Sequence, residues 1–153
     1  MDSKTIPKAE LLGLKVMKAS ALIEDAAHGL FKQHGLSAPQ YNVLRILRGA
    51  VDSGLRCQEI SVRMVKRVPD ITRLLDRLED KSLVARHRSE DDRRVVMTTL
   101  TPDGKSLLKS IDPGLRKQVS GNFTHLTPED FQNLDAILER LITGLNDPST
   151  TAP

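Results

Sequence analysis

The stretch 69–83, with the sequence PDITRLLDRLEDKSL, combines residue types that bind nucleic acids. It brings a hydroxyl at Thr72 and guanidinium groups at Arg73 and Arg77 to one side of a predicted helix. Arginine pairs bidentately with guanine edges, a threonine methyl packs on thymine, and both side chains bind phosphates. We therefore interpret Thr72 and Arg73 as candidate base-reading residues, with Arg77 one turn deeper.

The helix that positions these side chains has one apolar stripe, which must be buried. Its members recur at i, i+3, i+4 and i+7, and they are Ile71, Leu74, Leu75 and Leu78. Pro69 is predicted at N1, and Asp70 suits the positive end of the helix dipole. An ordinary surface helix is the alternative interpretation. For Arg77, a role in holding a phosphate or in pairing with Asp76 and Glu79 is favoured over reading a base.

The distribution of charge favours a polyanion partner for the middle of the chain. Residues 56–94 contain 11 Lys and Arg against 8 Asp and Glu, whereas the remainder contains 12 of each kind. A basic excess confined to one segment is typical of a nucleic-acid-binding module.

Composition limits the class of protein and its compartment. The 153 residues are 39% hydrophobic and include no apolar run of the ~20 residues that a membrane span requires. No secretory signal is recognisable at the N-terminus, and Cys57 alone cannot form an internal disulfide. We expect a cytoplasmic protein that does not insert into a membrane.

Helical periodicity predicts three further helices before the stretch 69–83. A long helix runs from Lys8 to about His34 with Gly35 as its stop, and a second runs from a cap at Ser37 to near Gly49. After a loop at 52–54, a short helix covers 56–64. A short helix, a turn and a second helix match a helix-turn-helix. Additional candidates for phosphate contacts here are Gln58 and Arg67.

A β-hairpin is predicted after the stretch 69–83, because the apolar period changes towards two. Its strands are Val84–Arg88 and Val95–Leu100, and its charged tip should project into solvent as a wing. Arg94 could enter a narrow minor groove, oriented by Asp92, or be a solvated hairpin charge. Other candidate DNA contacts in the wing are Arg88 and Arg93.

Two helices are predicted at the C-terminal end. The first begins at Thr101 and is expected to kink just before Pro113; the second begins at Thr127. The second carries a coiled-coil-like seam, formed by Phe131, Leu134, Leu138, Leu141 and Leu145. The seam could be intramolecular, but we expect it to pair two subunits, together with first-helix residues that include Leu11 and Leu14.

The predicted fold is mainly α with a small β-hairpin, namely a winged helix-turn-helix flanked by long dimerisation helices. We expect one structural domain. Residues 1–36 form an N-terminal dimerisation helix and residues 37–100 form the DNA-binding region. Residues 101–146 form the C-terminal dimerisation helices, and residues 147–153 are a disordered tail.

Two segments, Thr72–Val84 (TRLLDRLEDKSLV) and Asp91–Leu108 (DDRRVVMTTLTPDGKSLL), resemble the MarR family of bacterial winged-helix regulators. The resemblance covers essentially the whole chain. It implies a homodimer, recognition helices in successive major grooves of double-stranded DNA, and wing arginines in the flanking minor grooves. It also implies repression that a small phenolic or lipophilic effector relieves. No ligand-binding residues are assigned.

Nothing in the sequence indicates an enzyme, a cofactor or a metal site. The four histidines lack metal-ligand spacing, and no phosphate loop or nucleophile motif is present. Cys57, at a helix start, could sense peroxide, but we favour a small residue packed against Ile60 and Met64. The competing function is an architectural DNA binder or protein-interaction module with little sequence specificity.

Overall fold

The computed structural model describes residues 7–50 and 53–147. The chain forms two compact units, the first extending to Arg116 and the second beginning at Lys117. The elements are α1 (Lys8–Gln33), α2 (Ala38–Arg48), β1 (Leu55–Arg56), α3 (Cys57–Arg63), α4 (Ile71–Asp80), β2 (Val84–Arg88), β3 (Val96–Leu100), α5 (Pro102–Asn122) and α6 (Pro128–Asn146). Helices with one small antiparallel sheet confirm the predicted fold class.

The end of α1 and the start of α2 lie where their capping residues predict. Gly35 has a φ of 68°, and the N–H of Leu36 donates to the carbonyl of Phe31 at 2.9 Å, which closes the end of α1. The side chains of Ser37 and Gln40 form a capping box at the start of α2. The rings of Phe31 and Tyr41 then stack with centroids 4.4 Å apart, joining the two helices.

The sheet has three strands in the order β1-β3-β2, rather than the two of the predicted hairpin. The hairpin itself is confirmed, since Val84 pairs with Leu100 and Arg88 with Val96. Strand β1 consists of two residues and pairs Leu55 with Thr98. This strand escaped prediction because two residues carry no periodicity of their own.

The core of the first unit lies between the helix-turn-helix, the sheet and the first half of α5. Its fully buried side chains are Val43, Leu44, Ile60, Leu75, Leu78, Val84, Thr98, Leu108 and Ile111.

At the start of α5, the Thr101 hydroxyl accepts a hydrogen bond from the Gly104 N–H at 3.0 Å, which confirms the predicted cap. Helix α5 continues across Pro113, and the kink expected there stays a prediction.

The second unit contains the end of α5 and all of α6. Thr127 and Asp130 form a capping box that starts α6, as predicted, and Phe123 meets Phe131 edge-on with ring centroids 5.7 Å apart. The predicted tail beyond 147 and position 52 of the predicted loop lie outside the described residues. Among the helices of residues 7–50 and 53–147, none has the length and apolar character needed to cross a membrane.

Candidate nucleic-acid interface

The start of α4 is set by Asp70, which is its N-cap. The Asp70 carboxylate accepts a hydrogen bond from the Arg73 N–H at 2.9 Å, satisfying one of the amides that a helix N-terminus leaves unpaired. The prediction of Pro69 at N1 is therefore wrong. Pro69 lies one residue before the cap, because the carboxylate of Asp70 is the better acceptor for the first-turn amides.

Helix α4 separates a buried face from an exposed polar face, as predicted. Leu75 and Leu78 are at most 1% exposed, Leu74 is buried at 9%, and Ile71 packs against the same core while partly buried. On the other face, Thr72, Arg73 and Arg77 are all exposed. This burial holds the helix in place while its polar side chains stay accessible.

The acidic side chains of α4 bind an arginine of the wing rather than Arg77. The Arg86 guanidinium on β2 contacts an Asp76 carboxylate oxygen at 2.6 Å and a Glu79 carboxylate oxygen at 2.8 Å. Neither acid forms an ion pair with Arg77, so the alternative that pairs Arg77 with them is wrong. No spacing along one helix could have indicated Arg86, because the contact joins a helix to a strand.

The turn between α3 and α4 is anchored from two sides. The Asn42 side chain of α2 accepts the Val65 N–H at 2.9 Å, and Lys66 forms an ion pair with Glu24 of α1 at 2.6 Å. Arg67, in the same turn, is exposed, and so is Gln58 in the first turn of α3. Both predicted phosphate-contact residues are therefore accessible.

Cys57 is partly buried against the core, together with Met64, which agrees with its predicted packing role. Its sulfur lies 4.0 Å from the hydroxyl oxygen of Thr72 on α4. The side chain therefore contributes to the packing of α3 against α4.

The wing tip is shaped by its own hydrogen bonds. The Asp92 carboxylate accepts the Arg94 N–H at 2.9 Å, so it holds the Arg94 backbone rather than the guanidinium. Arg88 donates to the Arg93 carbonyl at 2.6 Å and supports the loop from the strand. The side chains of Arg93 and Arg94 are exposed, and that of Arg94 has no ion pair within the part of the chain that the structure describes.

The residues predicted for the dimer interface are apolar and largely exposed in the single chain. On α1, Leu11 is 42% exposed and Leu14 is 52% exposed. On α6, Leu134 is half-buried, whereas the exposed members of the predicted seam are Phe131, Leu138, Leu141 and Leu145. Contiguous exposed apolar patches are a general mark of interaction surfaces, and the pairing of two subunits through these residues stays a prediction.

A winged helix-turn-helix with an exposed polar face on its second helix, α4, is typical of DNA-binding proteins, and comparison with known proteins gives the family of this chain. The family profile described as "Transcriptional regulator SarA/Rot" matches residues 27–111. The curated relative MhqR of Bacillus subtilis, an HTH-type transcriptional regulator, is 30% identical over 91% of this chain and 93% of its own.

Solved structures of MarR family regulators are also similar to this chain. A MarR transcription factor from Planctomyces limnophilus is 33% identical over 89% of this chain and 98% of its own, with a TM-score of 0.67. Sco3205 of Streptomyces coelicolor, a MarR family regulator solved in complex with DNA, shares the fold with a TM-score of 0.83 at 24% identity, over 99% of this chain and 97% of its own.

The chain belongs to the MarR family of winged-helix transcriptional regulators. It is a sequence-specific DNA-binding regulator and not an enzyme. Within the described ranges, no three His, Cys, Asp or Glu side chains come together in a way that could hold a metal ion.

Proposed function

We propose that this protein is a homodimeric repressor that binds an inverted-repeat operator and is released from it by a small-molecule effector in the bacterial cytoplasm. Each subunit inserts α4 into the major groove and its wing into the flanking minor groove. The observation that carries the proposal is the polar face of α4, where Thr72 and Arg73 are exposed on a helix whose other face is buried.

Thr72 and Arg73 read bases in this proposal. They lie in the first turn of α4, and a helix entering the major groove presents its N-terminal residues to base edges. Because Asp70 binds the Arg73 backbone, the guanidinium is left to pair with a guanine. Asp70 and Pro69 thus shape the start of the helix beside the DNA. Arg77 holds a phosphate from the next turn.

The wing contributes affinity and a preference for groove shape. Arg94 enters the minor groove, where A·T-rich sequence narrows the groove and strengthens its negative potential. Asp92 supports it by fixing the turn. Arg93, together with Gln58 and Arg67 of the helix-turn-helix, supplies phosphate contacts, and Arg88 acts mainly by holding the Arg93 carbonyl.

Dimerisation through α1, α5 and α6 accounts for the exposed apolar side chains. On α6, Leu138 and Leu141 are 36% and 42% exposed, and on α1 the exposed positions include Leu11 and Leu14. A two-fold symmetric dimer presents two copies of α4, so its operator should be an inverted repeat with half-sites about one helical turn apart.

The effector we propose is a small phenolic or lipophilic compound. In one relative of the same fold, BpsR of Bordetella bronchiseptica, DNA binding is regulated by 6-hydroxynicotinic acid. The effector is expected to bind the dimer better than the DNA complex, and this difference in affinity alone would release the operator.

The test begins with fragments of the host genome selected for binding to the protein. Wild type, Arg73→Ala and Arg94→Ala are then titrated on the selected site and on scrambled DNA at several salt concentrations. Arg45→Ala, at an exposed arginine of α2, is the control for loss of one positive charge.

Arg73→Ala should cost about 1–3 kcal/mol per half-site against the preferred base. Arg94→Ala should weaken binding most on A·T-rich flanks and reduce the slope of log affinity against log salt by roughly one unit per subunit. Equal losses for both variants on both DNAs would contradict base reading by these residues and favour an architectural binder. Candidate phenols are then added to the wild-type complex, and release by none of them would count against the effector.

A further inference from the structure

Arg86 forms the most extensive side-chain cluster at the interface, and the contacts proposed above do not use it. Its Nε donates to Glu79 at 2.8 Å, its Nη2 contacts both Glu79 and Asp76, and its backbone N–H donates to the second oxygen of Glu79 at 3.1 Å. One guanidinium thus binds two carboxylates of the recognition helix from the neighbouring strand.

The geometry is specific to arginine. A planar guanidinium presents a fixed fork of donors that reaches two acceptors at once, which a lysine ammonium cannot reproduce. The pKa of Glu79 is lowered below its usual range, mainly because the Arg86 side chain donates hydrogen bonds to it. Glu79 is therefore ionised, and paired with Arg86, at neutral pH.

Without Arg86, the Asp76 carboxylate would be free to pair with Arg73. Asp76 lies three residues after Arg73 on the same helix, a spacing at which acidic and basic side chains attract one another. An ion pair between them would draw the Arg73 guanidinium away from a base edge. The freed carboxylates would also repel the phosphates of bound DNA.

Arg86 on β2 prevents this pairing, because it already binds the Asp76 carboxylate. The Arg86 side chain is 28% exposed, against 48% for Asp76 and 38% for Glu79, so the arginine is the most buried member of the cluster. In the described residues, Arg73 and Arg77 have no side-chain ion pair. Both guanidinium groups are accordingly available to a ligand.

We propose that Arg86 is a positioning residue for DNA recognition, which sequesters the carboxylates of Asp76 and Glu79 and so keeps Arg73 free to bind DNA. The inference rests on the proposed function, because it assumes that Arg73 reads a base. It predicts that Arg86 affects the choice between DNA sequences without touching a base.

The test measures the ratio of affinities for the selected operator and for scrambled DNA, at fixed salt and at a temperature where circular dichroism shows each variant to be folded. Arg86→Gln should lower the ratio by about tenfold, the scale of one lost base contact. Arg86→Lys, which keeps the charge but loses the fork, should lower it less. Arg45→Gln removes the same charge from α2 and should leave the ratio unchanged.

Asp76→Asn in the Arg86→Gln background separates positioning from structural support. This second substitution removes the competing carboxylate but restores no contact between α4 and β2. The affinity ratio should therefore recover in part while the melting temperature does not. A structural role would make the two quantities change together.

Two outcomes would overturn the inference. One is that Arg86→Gln and Arg45→Gln have the same ratio of operator to scrambled-DNA affinity. The other is that adding Asp76→Asn to Arg86→Gln does not raise this ratio. Failure of the proposed function has a different signature. In that case wild type itself would bind operator and scrambled DNA equally, or Arg73→Ala would leave the ratio unchanged.

Discussion

Replacing Gly104 by alanine should destabilise the first compact unit, although alanine is the better helix former. A Cβ at this position in α5 would lie 2.3 Å from the Leu83 carbonyl oxygen and 2.7 Å from Cδ1 of Leu100. Carbon atoms pack best at about 3.5–4.0 Å, so the backbone at Leu83 would have to move. The same carbonyl accepts the Thr101 N–H at 3.2 Å, and that hydrogen bond would be weakened by the movement.

The expected loss is the sum of three effects. Overpacking typically costs 1–3 kcal/mol, and a weakened hydrogen bond costs about 0.5–1.5 kcal/mol. The higher helix propensity of alanine offsets at most about 1 kcal/mol of this loss. We expect a net destabilisation of about 2 kcal/mol, which for a chain of this length lowers the melting temperature by roughly 4–8 °C.

Gly29→Ala is the matched control, since Gly29 lies inside α1 with no atom within 4 Å of an added Cβ. It should stabilise the protein by about 0.5–1 kcal/mol. Because the chain has no tryptophan, unfolding is followed by far-ultraviolet circular dichroism at a fixed protein concentration. A Gly104→Ala protein as stable as wild type would refute the steric argument.

Three further predictions concern the interface between subunits, the cysteine and acid stability. Leu138→Lys combined with Leu141→Lys should produce monomers with greatly weakened operator binding, whereas wild-type monomers at micromolar concentration in sedimentation would contradict the dimer. Cys57→Ser should leave DNA binding and its response to hydroperoxide unchanged, and loss of an observed peroxide response in that variant alone would reverse this interpretation. Glu79 has a lowered pKa in the folded state, so its stabilisation is present above its ordinary value of 4.5 and is lost as the pH falls below it. Wild type should therefore lose more stability than Glu79→Gln on acidification through this range, and equal losses in denaturant titrations would contradict the ion pair with Arg86.

Local signals in the sequence were sufficient to predict most of the elements. The capping boxes at Ser37 and Thr127 mark helix starts because their hydrogen bonds join residues three apart in the chain. Likewise, the buried face of α4 follows from spacing alone. The alternation after Leu83 predicted the strand pairing of the wing.

The features that escaped prediction depend on contacts distant in sequence or on competition between neighbours. Strand β1 exists because Leu55 pairs with Thr98, far along the chain. Arg86 is brought to Asp76 by the packing of the sheet against α4. Pro69 was wrongly predicted at N1 for a local reason. Both Pro69 and Asp70 suit a helix start, and it is the Asp70 carboxylate that caps the helix.

The division of α4 into a buried and an exposed face has a consequence for how this regulator could diverge. Substitutions at exposed positions usually change stability by no more than about 0.5 kcal/mol, so Thr72, Arg73 and Arg77 can be exchanged without endangering the fold. Duplicated copies of the gene could thus acquire new operators through a few surface changes. Leu75 and Leu78 are far less free to vary, because truncating either buried side chain to alanine costs about 2–5 kcal/mol of core packing beneath the reading residues.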